Sequence, residues 1–261
     1  MTGGRRRIDI NGDLGEWDGG GAPPPGDAAL MRHLTSVNVA CGGHAGDAAS
    51  MRCSVAAALE RGIVIGAHPS FPDREGFGRR PVRLPAAEIR RTVAGQIERL
   101  AGIAAAAGAR VAHVKPHGAL YHLAAADADV AGAVADAVAG VDGTLMVVAR
   151  SGGLLIAEAT RRGLATVSEV FCDRAYEAGG GLVPRGHPGS LVTDPLAAAA
   201  RLLGMLRDGT VEAIDGTRVA VTPETACIHG DTPGAAPFAA TLRAALAAAG
   251  IAVQAPAAIR N

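Results

Sequence analysis

The chain has 261 residues, of which 49% are apolar and only 3% aromatic, and its formal net charge is zero. This length can bury a large core, and the composition is typical of a compact α/β protein with closely packed, alanine-rich helices. The charge balance excludes a typical nucleic-acid surface, because the arginines at 5–7 are the longest block of like charge.

The sequence also shows no sign of a secretory signal, a membrane-spanning segment or a closely spaced pair of cysteines. No apolar segment of a secretory signal follows the N-terminal arginines, and charge or glycine interrupts the alanine-rich stretches before they reach membrane-spanning length. The four cysteines, Cys41, Cys53, Cys172 and Cys227, form no C-x-x-C pair. We therefore expect free thiols in a cytoplasmic protein.

Short β-branched runs alternate with longer alanine-rich segments of helical period. The predicted strands are 7–11, 36–40, 63–67, 110–115, 144–149, 165–170 and 226–229. The predicted helices are 47–60, 85–107, 127–139, 153–162, 195–207 and 233–249. Such alternation implies right-handed crossovers and a parallel sheet. About seven units predict an α/β fold, an irregular (β/α) barrel in one domain spanning 1–261, and an open doubly wound sheet is the alternative.

Three segments depart from this alternation. Residues 211–221 carry alternating runs around Asp215 and Gly216, which predicts a β-hairpin decoration near 210–222. Two long stretches without a predicted element, 69–83 and 172–194, carry arginines among glycines and prolines. Loops of this length in a compact domain are typically lids or binding loops.

Lys115 is the only lysine of the chain, although arginines are abundant. Arginine is a wide planar fork that stays charged, whereas lysine is a compact point charge whose pKa changes when it is buried. Lys115 lies between His113 and His117 at the end of an apolar run. We interpret it as a functional residue at a position that arginine cannot fill.

Ionisable residues gather just after the predicted strands. In a parallel barrel all of these strand ends lie on one face, where active sites are built. The residues concerned are Asp13, Glu16, His44, Asp47, His68, Lys115, His117, Glu169, Asp173, Arg174, His229 and Asp231.

Two chemistries fit this group. Asp13, His44 and His68 could bind a divalent metal, since imidazole and carboxylate suit zinc and similar ions. Alternatively, histidines and carboxylates transfer protons in a metal-free site while Lys115 and the loop arginines hold an anionic substrate. The chain has no H-E-x-x-H motif, no phosphate-binding P-loop and no dinucleotide-binding glycine motif after the first strand.

Several long motifs resemble those of the LamB/YcsF family. They are IDINGDLGE (8–16), NVACGGHAGD (38–47), GAHPSFPDREGFGRR (66–80), HVKPHGALY (113–121), EVFCDR (169–174), LVPR (182–185) and IHGD (228–231). The resemblance covers nearly the whole chain. It implies a barrel similar to that of polysaccharide deacetylases and the role of a subunit of an ATP-dependent 5-oxoprolinase. That enzyme converts 5-oxo-L-proline, ATP and water to L-glutamate, ADP and phosphate.

The resemblance also implies partners, a co-substrate and residue roles. ATP is expected as the co-substrate, and the resemblance leaves open whether a divalent metal is bound. Two partner subunits are expected, which resemble the halves of an allophanate-hydrolase-like protein. The expected catalytic residues are Asp13, Glu16, Lys115, His117 and Asp231. The expected substrate-binding residues are Asn11, Asn38, Arg79, Arg80, Glu169, Arg174, Arg185 and His229.

Two other functions are compatible with the same residues. The chain could be a stand-alone metal-dependent amidohydrolase or deacetylase acting on a sugar or small amide, or a non-catalytic metabolite-binding barrel. The sequence leaves both a monomer and a homo-oligomer open.

Overall fold

The computed structural model describes residues 7–228 and 234–256. The strands in these ranges are β1 (Arg7–Leu14), β2 (Ser36–Ala40), β3 (Val64–His68), β4 (Val111–Val114), β5 (Met146–Arg150), β6 (Thr166–Val170), β7 (Thr210–Glu212), β8 (Arg218–Ala220), β9 (Thr225–Ile228) and β10 (Ala252–Val253). The helices are α1 (Pro25–Leu30), α2 (Ala48–Glu60), α3 (Ala86–Ala106), α4 (Gly118–Ala124), α5 (Ala128–Val141), α6 (Leu154–Arg161), α7 (Pro195–Asp208) and α8 (Ala235–Ala248). A short 3₁₀ turn, Met31–His33, follows α1.

Seven parallel strands close into a barrel in the order β1, β2, β3, β4, β5, β6 and β9. Closure is visible at Gly12 of β1, which is the register partner of Val37 in β2 on one side and of Ile228 in β9 on the other. The predicted barrel is confirmed, and the open-sheet alternative is wrong because β1 is paired on both sides. The barrel is irregular: β4 pairs with β5 over only two residues, and the β3–β4 register shifts between Ile65 and Gly66.

The helices cover the outside of the barrel with apolar faces of helical period. In α3 the buried residues recur every three or four positions, and they include Ile89, Val93, Ile97, Leu100 and Ala104. This helix packs against α2 and α5. The core therefore lies mainly between the outer face of the barrel and the surrounding helices.

Asp47 begins α2 with a capping box. Its Oδ1 accepts hydrogen bonds from the backbone nitrogens of Ala49 and Ser50 at 2.8 and 2.9 Å, and Ser50 Oγ accepts one from the Asp47 nitrogen at 2.8 Å. These bonds satisfy N–H groups that the first helical turn would otherwise leave unpaired. The cap fixes the direction of the chain where it passes from the loop after β2 into α2.

Replacing Asp47 with alanine is expected to lower the free energy of unfolding by about 0.5–2 kcal/mol, because the first turn of α2 loses its side-chain acceptor. Urea denaturation measures this loss. Asp129→Ala is the matched control, since Asp129 is an exposed first-turn aspartate of α5 whose N-cap is Asp127. The control is expected to change stability by less than about 0.5 kcal/mol. Equal effects for the two variants would contradict the capping argument.

Some elements differ from the sequence-based prediction. Strand β1 continues to Leu14, beyond the predicted end at residue 11, because its polar residues point into the barrel rather than marking a loop. Helix α1 is not among the predicted helices. The seven-residue helix α4 was not predicted, and neither was β10, which pairs with the start of β1.

Two further predictions, the hairpin and the free cysteines, are confirmed. Strands β7 and β8 form the predicted antiparallel hairpin, and Gly216 at its turn adopts a left-handed φ of 87°. The four cysteines are free. Within 7–228 and 234–256, no helix is both long enough and apolar enough to cross a membrane.

Candidate active site

A cavity of about 630 Å³ lies at the carboxyl-terminal ends of the barrel strands. Residues at the ends of β1, β3 and β5 and residues that follow β3, β4 and β6 contribute to its wall, so the ends of these strands lie on one face of the barrel, as predicted. The charged residues and histidines at the cavity include Asp13, His68, Arg79, Lys115, Arg174 and Arg185.

Polar residues alternate along β1 and point into the barrel. Asp9, Asn11 and Asp13 are buried, and their side chains bond to residues of other barrel strands. The intervening Ile8 and Ile10 belong to the apolar core. This period of two is the signature of a strand with one apolar and one polar face. The face of β1 that points into the barrel is therefore polar.

Lys115 lies at the centre of this network and is 2% exposed. Its Nζ is 3.0 Å from Asp13 Oδ1, 2.9 Å from Glu169 Oε1, 3.1 Å from Asn11 Oδ1 and 3.0 Å from Cys227 Sγ. Burial opposes the charge, but Asp13, Cys227 and Glu169 outweigh it and hold the pKa of Lys115 well above its usual value. Lys115 is thus a charged residue balanced by two carboxylates.

Two asparagines orient those carboxylates. Asn11 Nδ2 donates to Glu169 Oε1 and to Thr225 Oγ1, both at 2.8 Å. Asn38 Nδ2 donates to Asn11 Oδ1 at 2.7 Å and to Asp13 Oδ1 at 2.9 Å. Asn11, Asn38 and Glu169 were predicted to bind substrate, but none of the three lines the cavity described above. They lie behind Lys115 and Asp13 and fix their positions.

His113 completes this layer from β4. Its Nε2 lies 2.8 Å from Asn38 Oδ1, and because an amide oxygen only accepts, Nε2 carries the hydrogen. Burial and then the charge of Lys115 lower the pKa of His113 to about 3, so the ring is neutral. The ring fits because residue 66 is glycine: a Cβ there would lie 2.0 Å from His113 Nε2.

Three histidines and a glutamate form a second group beside the cavity. One ligand atom from each of Glu16, His44, His68 and His117 lies within 4.8 Å of all the others. Glu16 Oε1 is 3.1 Å from His44 Nε2 and 3.5 Å from His117 Nδ1. The rings of His44 and His117 stack with centroids 3.6 Å apart. Such a donor set is typical of sites for zinc and similar divalent ions.

The hydrogen bonds of His68 and His117 fix the positions of their ring protons. His68 Nδ1 donates to the carbonyl of Lys115 at 2.7 Å, and His117 Nε2 donates to the carbonyl of Phe77 at 2.9 Å. In the neutral rings the other nitrogens then carry lone pairs, and these two nitrogens, His68 Nε2 and His117 Nδ1, are 3.0 Å apart. Facing lone pairs repel, so a cation or a shared proton between them would be stabilised.

Burial favours the neutral, ligand form of this group. Burial, followed by the charge of His68, lowers the pKa of His44 to about 2, and burial with His68 and His44 also lowers the pKa of His117. His44 Nδ1 is buried and has no hydrogen-bond partner among the described residues. The residues present therefore fit a divalent cation.

The structure changes the predicted ligand set. Asp13, His44 and His68 were expected to bind the metal, and two of them, His44 and His68, belong to the observed group. Glu16 and His117 complete it, although they were expected to be catalytic. Asp13 lies beside the group, with its Oδ2 3.4 Å from His68 Nε2, while its Oδ1 contacts Lys115.

The loop between β3 and α3 shapes this region. Phe77 has a φ of 53°, which is unusual for a bulky residue, and it turns its carbonyl toward His117. The next residue, Gly78, also has a positive φ, and a Cβ there would lie 2.8 Å from that of His44. The Phe77 ring meets the edges of both His44 and His117. This strained turn thus packs the loop onto the histidine group.

The predicted substrate-binding arginines separate into two sets. Arg79, Arg174 and Arg185 line the cavity. Arg80 does not, since it is exposed and pairs with Asp73 and Glu75 of its own loop. His229 and Asp231 lie outside the described residues.

Several members of the network were not predicted from the sequence. Tyr121 donates from its hydroxyl to Glu169 Oε2 at 2.7 Å, and Cys227, Thr225 and His113 contact the central residues. His113 and Tyr121 were visible within the motif around Lys115. Thr225 and Cys227 are two positions apart on β9, so strand alternation could have indicated them.

A closed parallel barrel with a polar, histidine-rich site at its carboxyl-terminal end places the protein among α/β barrels that build active sites on that face. The LamB/YcsF family model matches residues 8–261, and the chain belongs to this family.

A named relative and a solved structure agree with that assignment. The chain is 50% identical over 254 residues to the A subunit of 5-oxoprolinase from Methylococcus capsulatus, a match that covers 96% of each chain. A lactam utilization protein from Thermus thermophilus superposes with a TM-score of 0.88 at 42% identity, over 96% of this chain and all of the other. A family 4 carbohydrate esterase from Streptomyces lividans shares the fold alone, with a TM-score of 0.50 and 12% identity over 95% of this chain and 91% of the other.

Proposed function

We propose that this chain is a subunit of an ATP-dependent 5-oxoprolinase that opens the lactam of 5-oxo-L-proline to give L-glutamate. The observation that carries the proposal is the 50% identity over 96% of both chains with a protein named as the A subunit of 5-oxoprolinase. The cavity beside Asp13, Lys115 and the histidine group is consistent with it. A five-membered lactam is an unreactive amide, so its hydrolysis needs both an activated carbonyl and a positioned base.

We assign the base to Asp13. This carboxylate lines the cavity, and Lys115 and Asn38 fix its Oδ1. Its Oδ2 lies 3.4 Å from His68 Nε2, at the edge of the histidine group. Asp13 would take a proton from the attacking water.

Lys115 then has a different role from the one expected. Its contacts with Asp13 and Glu169 already balance its charge, so it orients the base and supplies a fixed positive charge near the reacting carbonyl. It is less suited to holding the substrate carboxylate, which would compete with two carboxylates already in place. The cavity arginines are better placed for that task.

We further propose that Glu16, His44, His68 and His117 hold a divalent metal ion. An ion there would supply Lewis-acid polarisation of a carbonyl or phosphoryl oxygen. The three histidines come from the ends of β2, β3 and β4 and from the loops that follow them, so the fold would fix their geometry before any ion binds.

ATP would activate the lactam by phosphorylation of the carbonyl oxygen. The balanced reaction takes 5-oxoproline, ATP and two water molecules to glutamate, ADP and phosphate. One water opens the ring, and the other accounts for the hydrolysis of ATP. Because the chain lacks a P-loop, we propose that the nucleotide site is shared with two partner subunits of the allophanate-hydrolase-like kind.

The experiment that tests the function is 5-oxoproline-dependent release of phosphate and glutamate by the purified chain, alone and with its two partner subunits. Turnover is expected only in the complete mixture and only with both substrates present. An acetylated sugar without ATP serves as the comparison for a stand-alone deacetylase. Soluble, folded protein that gives no turnover in the complete mixture would overturn the proposal.

A further inference from the structure

Two of the four proposed metal ligands lie on glycine-rich loops rather than on regular elements. His68 is the last residue of β3, and His117 is the N-cap of α4. By contrast, Glu16 lies in the loop between β1 and α1, and His44 lies in the loop between β2 and α2. Each of these loops contains at least three glycines, and glycine loses more conformational freedom on folding than any other residue. Tertiary contacts must therefore hold Glu16 and His44 in place.

Arg74, in the loop between β3 and α3, connects these two loops. Its Nη2 donates to Asp18 Oδ1 at 2.5 Å, two residues after the metal ligand of the β1–α1 loop. Its Nη1 donates to the carbonyls of Gly46 at 2.9 Å and Gly42 at 3.3 Å. The guanidinium therefore holds the β2–α2 loop on both sides of its histidine. Hydrogen bonds from a charged donor are stronger than those between neutral groups.

The backbone of Arg74 supports a third ligand. Its carbonyl accepts a hydrogen bond from the Phe77 nitrogen at 3.2 Å, within the turn in which Phe77 adopts its positive φ. The Phe77 carbonyl in turn accepts the Nε2 hydrogen of His117. Arg74 is thus connected, through neighbouring residues, to the positions of Glu16, His44 and His117.

The two glycine-rich loops also touch each other. The Gly19 nitrogen donates to Asp47 Oδ2 at 2.8 Å, which ties the β1–α1 loop to the end of the β2–α2 loop. The two ligands on these loops are in direct contact, with Glu16 Oε1 3.1 Å from His44 Nε2. A small shift of either loop would therefore separate two ligands of the same ion.

We propose that Arg74 is a positioning residue for the metal site, and that with Asp18 it clamps the loops that carry Glu16 and His44. The inference rests on the metal ion included in the proposed function and adds a residue outside the ligand group. The ion pair is exposed, at 45% for Arg74 and 66% for Asp18, and exposed pairs add little to global stability. The effect of the clamp is therefore expected on metal affinity rather than on folding.

The charge of Arg74 by itself would have the opposite effect. A guanidinium near a divalent cation repels it, so removing the charge would tighten metal binding if Arg74 acted only through its field. Loss of the clamp weakens binding instead, because the ligands are no longer held in the geometry that the ion needs. The direction of the change in affinity therefore separates the two effects.

The test is zinc titration of the metal-free, full-length chain in competition with a chromogenic chelator. In Arg74→Gln and in Asp18→Ala the zinc dissociation constant is expected to rise by about 10-fold, as for the loss of an outer partner of a ligand. The double variant is expected to bind zinc no more weakly than the weaker single variant, because both residues act through one clamp. The urea midpoint of the metal-free variants is expected to stay at the wild-type value.

Trp17 provides a measurement that needs no metal. It is the only tryptophan of the chain, it is half-buried, and it lies between Glu16 and Asp18. Acrylamide quenching of its fluorescence therefore reports how well the β1–α1 loop is held. The quenching constant of the metal-free chain is expected to be higher in Arg74→Gln than in the wild type, because the loop opens more often.

Arg61→Gln is the matched control. Arg61 also pairs with a carboxylate, that of Glu60, and donates to a backbone carbonyl, that of Ala57, but both contacts are at the end of α2. This variant is expected to keep the zinc affinity and the Trp17 quenching of the wild type. An equal loss of affinity in Arg61→Gln would contradict a specific role for Arg74.

Three further results would overturn the clamp. The first is zinc binding by Arg74→Gln that is as tight as, or tighter than, that of the wild type. The second is a fall in the urea midpoint large enough to account for weaker binding, which would leave Arg74 a purely structural role. The third is additive losses in the double variant, which would show that Arg74 and Asp18 act separately.

A wild-type chain that binds no zinc would count against the proposed metal site. The clamp would then be judged by Trp17 quenching alone. Equal quenching in the wild type and in Arg74→Gln would end the clamp proposal, whereas stronger quenching in Arg74→Gln would show that Arg74 holds the loop that carries Glu16.

Discussion

Replacing Lys115 with methionine is expected to lower the free energy of unfolding by about 3–5 kcal/mol, since it leaves two buried carboxylates, Asp13 and Glu169, without their cation. Methionine has a similar length and fills much of the space, so the loss reflects charge more than volume. Urea denaturation measures the stability. Activity of the assembled enzyme is expected to disappear in the same variant.

Two further variants separate charge from shape. Lys115→Met combined with Glu169→Gln is expected to recover part of the stability, because one of the two uncompensated carboxylates is gone. Lys115→Arg keeps the charge, but the planar fork cannot place one nitrogen within about 3 Å of four acceptors as an ammonium can. We expect Lys115→Arg to reduce kcat by about 100-fold or more. Nearly intact activity in Lys115→Arg would refute the argument that this position needs a compact cation.

Removing His68 or His117 is expected to abolish stoichiometric metal binding. Each contributes a ring nitrogen to the group with Glu16 and His44, and loss of a direct ligand should cost more than the roughly 10–100-fold in affinity that loss of an outer partner costs. The loss of metal binding is measured by mass spectrometry as the metal content of the protein after dialysis against zinc. With zinc at about 100 times its dissociation constant, the wild type should also gain about 2.7 kcal/mol of stability, which the alanine variants should lack.

His187→Ala is the control for that experiment. His187 is exposed, and its Nδ1 bonds to the neighbouring carbonyl of Pro188, so it does not belong to the group. This variant is expected to bind metal as the wild type does. A wild-type chain that binds no divalent metal under these conditions, or variants that bind it equally well, would contradict the proposed metal site.

The sequence predicted much of the fold because most elements carry strong local signals. Strand β2 was predicted with its observed bounds, and α7 was predicted to begin at Pro195, which the structure confirms. The proline in the first turn and the aspartate before it identify that start without any tertiary information. Elements with weak signals were missed. Helix α4 begins at a glycine and has only seven residues, so its helical character depends on packing.

The polar residues inside the barrel were harder to interpret. The predicted first strand ended at Asn11 and left Asp13 outside it, because polar residues normally end a buried strand. They are strand residues whose side chains point inward, where they bond to Asn38, Lys115 and Glu169. The sequence indicated that these residues belong to the site. It did not indicate which of them line the cavity and which hold the lining residues in position.

What the sequence determined by itself is the order of strands and helices, the barrel class, and the set of ionisable residues at the strand ends, because periodicity and turn residues are local properties of the chain. Only the tertiary structure decided which of these residues form the network around Lys115 and which form the group of three histidines and Glu16. Lys115 contacts Asp13 across 102 residues and Cys227 across 112, and His68 meets His117 across 49. Such contacts depend on the closure of β9 against β1 and on the path of the loop at Phe77. Charge balance and ring protonation follow from those distances, which no local pattern encodes.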